Sequence, residues 1–408
     1  MKKLILAILG FFLVNSLFSA TLSREEKEET YKELELFADA LALVQTRFVE
    51  KKSPQELIYG TLEGLLSSLD PYSQFLKPQD YKELLIETEG RFGGLGIEIT
   101  LKDGLLTIVS PIEGTPAWRK GLKAGDRIVK INGELTRGIT LTEAVKKLRG
   151  EPGTEVTVTI LREKERRVFD VTLKREIIEI PDIRKKVILE GNVGYLRISE
   201  FREGTPRELE KAISELEKKG AQAYLLDLRN NPGGLLESAV KVASIFLEVN
   251  KLVVYTLDKD NNKVEYKSYP LGKHILGKPL VILVNEGSAS GSEIVAGALQ
   301  AHKRAIILGT NTFGKASVQT VLPLSDGSAL RLTTAKYYTP KGELIEDKGI
   351  TPDIYVEEKK IKEEISKEEE VFKKLQKEKK KEDTFYKKDY QIIRALDLIR
   401  GILILSNK

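Results

Sequence analysis

Residues 281–299 read VILVNEGSASGSEIVAGAL. The apolar run Val281–Val284 predicts a buried strand ending at Asn285, and the small residues after it predict a turn. A helix is expected from Ser290 to His302. The same pattern recurs on either side. Leu225–Leu228 is a second apolar strand, which runs through Arg229-Asn230-Asn231-Pro232-Gly233-Gly234 into a helix at Leu235–Phe246. Ile306–Leu308 is a third strand, and Glu208–Lys219 reads as a further helix. This alternation from Glu176 to about Val356 is that of a layered α/β domain.

Chemistry can sit at the turn before Ser290. A hydroxyl at a tight strand-to-helix turn stands beside the unpaired amides of the helix N-terminus. Those amides can stabilise the oxyanion of an acyl-transfer intermediate. Ser288, Ser290 and Ser292 all suit that role, and all three also suit plain helix capping. A serine nucleophile needs a base. The chain has two histidines: His274 in the Gly272–Gly277 loop, and His302 near the far end of the helix that Ser290 begins. Neither has a motif around it. A buried lysine is the other option, because loss of hydration favours the neutral amine. Lys315, in TFGKASVQ at 312–319, is the candidate.

That stretch also imitates a phosphate-binding loop. Gly309 to Lys315 fits its first seven positions, but the eighth, which should be Ser or Thr for a magnesium ion, is Ala316. The residues that follow, Val318 to Pro323, read as a strand, whereas a phosphate loop opens a helix. Nucleotide binding is not expected. The Gly233-Gly234 turn, in contrast, permits close backbone approach to a ligand, and its amides could serve as oxyanion donors.

Outward from this core the texture changes. From Phe92 to Arg175 there are short strands and glycine turns, with strands expected at Gly96–Leu101, Leu106–Ser110, Asp126–Ile131, Glu155–Leu161 and Arg167–Leu173. Two short helices are expected at Pro116–Lys120 and Leu141–Leu148. From Ser23 to about Gly90 the pattern is helical, with apolar faces built on Leu34, Leu36, Phe37, Ala40, Leu41 and Val44, and on Leu57, Leu62, Leu65 and Leu66. Glu357 to about Lys381 is a dense mixture of Glu and Lys, and a final amphipathic helix begins at Tyr390. At the N-terminus, Lys2 and Lys3 precede an apolar run from Leu4 to Val14 and the small residues Ser19 and Ala20. This is the form of a secretory signal with cleavage after Ala20; the competing reading is an uncleaved membrane anchor. Either way the bulk of the chain is expected to be exported, periplasmic or otherwise extracytoplasmic. The resulting division is 1–20 signal peptide, 21–90 helical region, 91–175 β-rich module, 176–356 α/β core, and 357–408 charged linker with a C-terminal helix.

Composition removes several function classes. Zero cysteines exclude a thiol nucleophile, disulfides and thiolate metal sites. A net charge of +5 from 66 basic and 61 acidic residues gives no support to a nucleic-acid partner. No metal and no organic cofactor is expected.

DLRNNPGG (227–234), GSASGSE (287–293) and TFGKASVQ (312–319), in that order, resemble the carboxyl-terminal processing proteases, also called tail-specific proteases. The resemblance extends to RFGGLGIEI (91–99), GTPAWRKGLKAGDRIVKING (114–133) and LSSLDPYSQFL (66–76), and covers roughly residues 30 to 356. It implies a multidomain α+β protein: a layered α/β protease core like that of ClpP and crotonase, an inserted β-barrel-like PDZ module, and helical N- and C-terminal segments. It implies a serine endopeptidase in which Ser290 is the nucleophile, Lys315 the base, and Gln319 the residue positioning that lysine. Gly291 with Gly233 or Gly234 would supply the oxyanion amides. Some relatives carry an aspartate eleven positions after the serine, where this chain has Ala301. In the PDZ module, the Gly93-Gly94-Leu95-Gly96 loop would hold a substrate's terminal carboxylate and the strand from Ile97 to Thr100 would pair with the peptide. Arg149 matches an arginine that couples the PDZ domain to the active site in some relatives. Partners implied are proteins or peptides with accessible C-termini, a second copy through the terminal helices, and a membrane only through the N-terminal segment. The alternative is an exported PDZ adaptor without proteolytic activity.

Overall fold

The computed structural model describes residues 24–112, 114–179, 181–272, 274–359 and 385–406. The expected signal segment and most of the charged linker lie outside the described residues. The chain divides into two compact units, residues 1–77 and 78–408.

Within the first unit, helix α1 spans Arg24–Arg47 and α2 spans Pro54–Ser67. Ser53 and Glu56 start α2 with a reciprocal capping box, which satisfies amides that would otherwise lack partners. After α2, the Asp70 carboxylate accepts from the amides of Tyr72 and Ser73 and holds the turn at Pro71. The apolar face expected on α1 stays largely exposed, Leu36 at 65% and Leu34 at 51%.

The second unit opens with α3 (Pro78–Glu89), then β1 (Arg91–Gly94), β2 (Ile97–Lys102) and β3 (Leu105–Pro111). Next come β4 (Arg127–Ile131), α4 (Leu141–Leu148), β5 (Glu155–Arg162), β6 (Arg167–Lys174) and β7 (Glu176–Glu179). Strands β2-β3-β4-β5-β6 form one antiparallel sheet in that order, closed over a core that includes Leu106, Ile108, Ile128, Val158 and Ile160. Strands β1 and β7 pair with each other, Arg91 opposite Glu179 and Gly94 opposite Glu176. The chain therefore enters and leaves the module side by side, which is the geometry of an insertion. Its elements match the expected ones to within a residue or two.

The α/β core follows: β8 (Ile183–Leu189), β9 (Val193–Ile198), α5 (Thr205–Lys218), β10 (Ala223–Asp227), α6 (Leu236–Phe246), β11 (Leu252–Asp258) and β12 (Lys263–Lys267). It continues with β13 (Leu280–Val284), α7 (Gly291–Ala301), β14 (Ile306–Gly309), β15 (Ser317–Pro323), β16 (Ala329–Tyr338) and β17 (Ile354–Tyr355). The main sheet has the order β8-β9-β10-β13-β14-β17, parallel from β9 onward. Alternation along its strands divides the core. Tyr224, Leu226, Ile282 and Val284 pack with α5, α6 and α7, while Leu225, Val281, Leu283 and Leu308 face the other way. A second, antiparallel sheet contains β15-β16-β11-β12.

The last helix, α8 (Tyr390–Ser406), covers that other face with Ile392, Ala395, Leu396 and Ile399. Its start is tied to the end of β10, where the buried Arg229 guanidinium donates to Asp227, Asp389 and Gln391. The apolar face of the C-terminal helix is spent inside its own chain, because without it one side of the central sheet would stand in water.

Candidate active site

In a parallel sheet the strands deliver their connections to one edge, and ligands bind beyond the carboxyl ends of the strands. β10 ends in the Leu228–Gly234 turn and β13 in the Asn285–Ser290 turn. Gly233, Gly234, Ser290, Lys315 and Gln319 all line one cleft of about 430 Å³, with Tyr337 beside them.

Burial separates the three serines. Ser288 and Ser292 are fully buried, and their hydroxyls donate to the carbonyls of Leu228 (2.8 Å) and Asn231 (2.9 Å). They staple the two turns together. Ser290 is half-buried, lines the cleft and has φ 51° and ψ −111°, a backbone region that an L-residue enters only at a cost of ~1–3 kcal/mol. The neighbouring contacts hold it there. Its amide donates to Glu293 Oε2 at 2.8 Å.

Glu293 is the residue that sequence reasoning missed. It is 1% exposed and gathers five donors. Thr312 Oγ1 (2.6 Å) and the Gly314 amide (2.7 Å) reach Oε1. The amides of Ser290 (2.8 Å) and Lys315 (3.0 Å) and the Tyr337 hydroxyl (3.3 Å) reach Oε2. One carboxyl oxygen thus holds the backbone of both Ser290 and Lys315, which are 25 residues apart in sequence. Burial pushes its carboxyl above the usual range, against the opposing pull of these donors. The Ser290-x-x-Glu293 spacing of a capping box was a visible signal for it. Tyr337, whose hydroxyl also meets the Lys315 carbonyl, carried no such signal.

The glycine turn is pressed against the serine. A Cβ on Gly233 would stand 2.7 Å from Ser290 Cβ and 2.8 Å from the Gly291 nitrogen, and φ there is 106°. Glycine is the one residue that fits. The Gly233 amide, however, donates to Asn231 Oδ1 at 2.9 Å, so in this arrangement it is taken. Of the two amides expected as oxyanion donors in this turn, that of Gly233 is therefore engaged within the turn itself. Gly234 is bridged to Phe201 through its neighbours, since the Phe201 amide donates to the Gly233 carbonyl and the Leu235 amide to that of Phe201. Those bonds leave the amide of Gly234 itself without a partner among the described residues. The Gln319 side-chain amide donates to Ser317 Oγ at 2.8 Å and reaches Thr333 Oγ1 at 3.4 Å, which fixes it along the cleft wall.

Comparison with known proteins agrees with this geometry. Residues 192–356 match the model of Peptidase family S41, 107–162 that of a PDZ domain, and 14–79 that of the activating protease CtpB N-terminal domain. A carboxy-terminal-processing protease of Bartonella bacilliformis is 44% identical over 363 residues, 88% of this chain and 83% of that protein. The chain belongs to the S41 family of carboxy-terminal processing proteases. It is a serine-type peptidase. The carboxy-terminal processing protease CtpA of Bacillus subtilis is 38% identical over 315 residues, 77% of this chain and 67% of that one. A solved structure of a candidate S41 protease from Bacteroides fragilis shares the fold, with a TM-score of 0.51 and 18% identity over 86% of this chain and 91% of that chain.

The rest of this S41 chain fits the same division of labour. Neither histidine lines the cleft. His274 Nδ1 meets the carbonyls of Ser244 and Leu247, and His302 Nε2 that of Leu252. The stretch from Gly309 to Lys315 leads into a strand and not a helix, as its sequence indicated. In the PDZ module, a groove of about 300 Å³ runs between the free edge of β2 and helix α4. Gly94, Leu95, Gly96 and Ile97 line it, with Val145 and Leu148 as an apolar wall. Gly93 does not line it. Its carbonyl accepts from the Gly150 amide, and a Cβ on it would sit 1.9 Å from the Gly150 carbonyl oxygen, so its place is in packing β1 against the end of α4. Arg149 stacks on the Phe92 ring at 4.3 Å, and both line the groove.

Proposed function

We propose that this protein is an exported endopeptidase which takes hold of substrate C-termini through its PDZ groove and cleaves by an acyl-enzyme route at Ser290. The observation that carries the reading is Glu293, whose Oε2 accepts from the amides of both Ser290 and Lys315 where the Gly233-Gly234 turn meets them. Neutral Lys315 takes the Ser290 proton as Oγ attacks the scissile carbonyl carbon. The amides of Gly291 and Gly234 receive the oxyanion. As the intermediate collapses, the lysine gives that proton to the leaving amine and the C–N bond breaks. Water, deprotonated by the lysine, then releases the acyl group and returns the serine. Gln319 steadies the wall from which Lys315 reaches the serine.

Support for C-terminal recognition is the edge strand β2 lying open beside an apolar groove, where an extended peptide can add as a further strand. Arg149, stacked at the groove, is the proposed contact by which an occupied groove influences the protease. Support for export is the Lys2–Ala20 segment. Digestion of an unfolded protein by the parent, Ser290→Ala and Lys315→Ala proteins tests the chemistry, with products mapped by mass spectrometry. Equal digestion by all three would overturn it. Substrates with amidated C-termini test the handle; equal rates with free and amidated ends would remove it.

A further inference from the structure

Three cations line the catalytic cleft: Arg202, Lys315 and Arg331. Arg202 is neutralised by Asp182 and Glu200, and Lys315 belongs to the reacting pair. The Arg331 guanidinium, half-buried on β16, makes no hydrogen bond or ion pair among the described residues. Its place follows from strand register. Val321 on β15 stands opposite Arg331, and Gln319 stands opposite Thr333. Side chains two apart on a strand share a face, so Val321 and Arg331 continue the surface that carries Gln319. Lys315 precedes Val321 by six residues, which puts Arg331 up to roughly 20 Å along the strand from the base. That is the reach of about six residues of extended substrate.

A guanidinium drawn partly out of water with no anion is unfavourable, and the deficit is relieved when a carboxylate binds. Leu84, Ile294 and Val321 make the neighbouring wall apolar, so a single charge is what the rest of this surface leaves to be recognised. We propose that Arg331 is a carboxylate-binding subsite. It receives a carboxylate of a substrate segment laid along β15, either an acidic side chain or the free C-terminus. The proposal rests on the cleft being the proteolytic site.

The test uses the full chain with Arg331→Gln and Arg331→Lys variants. Each enzyme is given peptide pairs that differ only in Glu against Gln at one position, every peptide being made with a free and with an amidated C-terminus. The ratio of kcat/KM for a carboxylate over its neutral counterpart, Glu over Gln and free over amidated terminus, is read within each enzyme. The parent is expected to favour the acid about tenfold or more at one position, the size of a charge-assisted hydrogen bond. Arg331→Gln is expected to bring that ratio near one, and Arg331→Lys to restore part of it. A preference that follows Glu on amidated peptides assigns the side chain, and one that disappears on amidation assigns the terminus. No acid preference in the parent, or an unchanged ratio in Arg331→Gln, would overturn the subsite. Cleavage that is blind to acid yet lost in Ser290→Ala would sink the subsite alone. Cleavage that survives Ser290→Ala would sink the proteolytic reading with it.

Discussion

Gly233 lies so close to Ser290 that a methyl group on it would stand 2.7 Å from the serine Cβ. Gly233→Ala adds that methyl and also forces alanine to φ 106°. The serine must then move away from the turn that carries a proposed oxyanion amide. The expected result is a fall in kcat on the order of 100-fold, comparable to loss of one oxyanion donor. Steady-state kinetics beside a circular dichroism spectrum would check it; undiminished kcat would show that the turn is not part of the reacting surface.

The three neighbouring serines should separate into two kinds of loss. Ser290→Ala is expected to abolish turnover while leaving the denaturation midpoint near that of the parent. Ser288→Ala and Ser292→Ala each remove one buried hydrogen bond, to the carbonyl of Leu228 or Asn231, while a backbone amide still reaches that carbonyl, and should each cost about 0.5–1.5 kcal/mol in urea denaturation. His274→Ala and His302→Ala are expected to keep Ser290-dependent cleavage, because neither ring lines the cleft.

Glu293 gives stability a pH dependence of defined sign. Burial raises its carboxyl pKa in the folded state, so between the ordinary glutamate range and that raised value the folded protein binds more protons than the unfolded one. Stability is then greatest below the ordinary value and falls as pH rises through the raised one. Denaturation midpoints across this range should show that fall in the parent and not in Glu293→Gln. Identical slopes in the two proteins would assign the pH dependence elsewhere.

Glu293→Gln also bears on catalysis. The glutamine amide group can accept on one atom only, so either the Thr312 and Gly314 donors or those of Ser290, Lys315 and Tyr337 lose their acceptor. An expected 10- to 100-fold loss of kcat, roughly 1.4–2.7 kcal/mol, should come with little change in KM, since Glu293 is buried beneath the site. A change in KM alone would contradict a positioning role.

The PDZ groove supplies a separate readout. Val145→Glu places a carboxylate on its apolar wall, where it opposes a terminal carboxylate and an apolar last side chain together. Substrates with free apolar C-termini should lose about tenfold in kcat/KM, while their amidated counterparts change less. Equal loss on both would make the groove irrelevant to recognition of the terminus.

Strand and helix positions in the core and the inserted module were legible because their apolar periods are local: Val281–Val284 and Leu225–Leu228 can only be buried strands between helices. The inserted character of residues 91–179 was less so, since it depends on Arg91 meeting Glu179 across the whole module. The exposure of α1 and the burial of α8 could not be told apart by pattern. Both are amphipathic, and α8 is buried because it covers a face of the central sheet in its own unit.

By itself, the sequence determined the layered α/β core, the strand-turn-helix at Ser290, the exclusion of thiol chemistry, and the strand after Lys315 that rules out a phosphate loop. It left three serines as equals and relied on family resemblance to choose. Tertiary structure gave them different surroundings, because what a hydroxyl meets depends on what lies across the turn: Ser288 and Ser292 meet carbonyls of the neighbouring loop, and Ser290 lines the cleft. It also tied the Gly233 amide to Asn231 and set the Glu293 carboxylate against the amides of Ser290 and Lys315. Hydrogen bonds between residues 19 to 61 positions apart are set by how strands are ordered in the sheet, and no local pattern encodes that order.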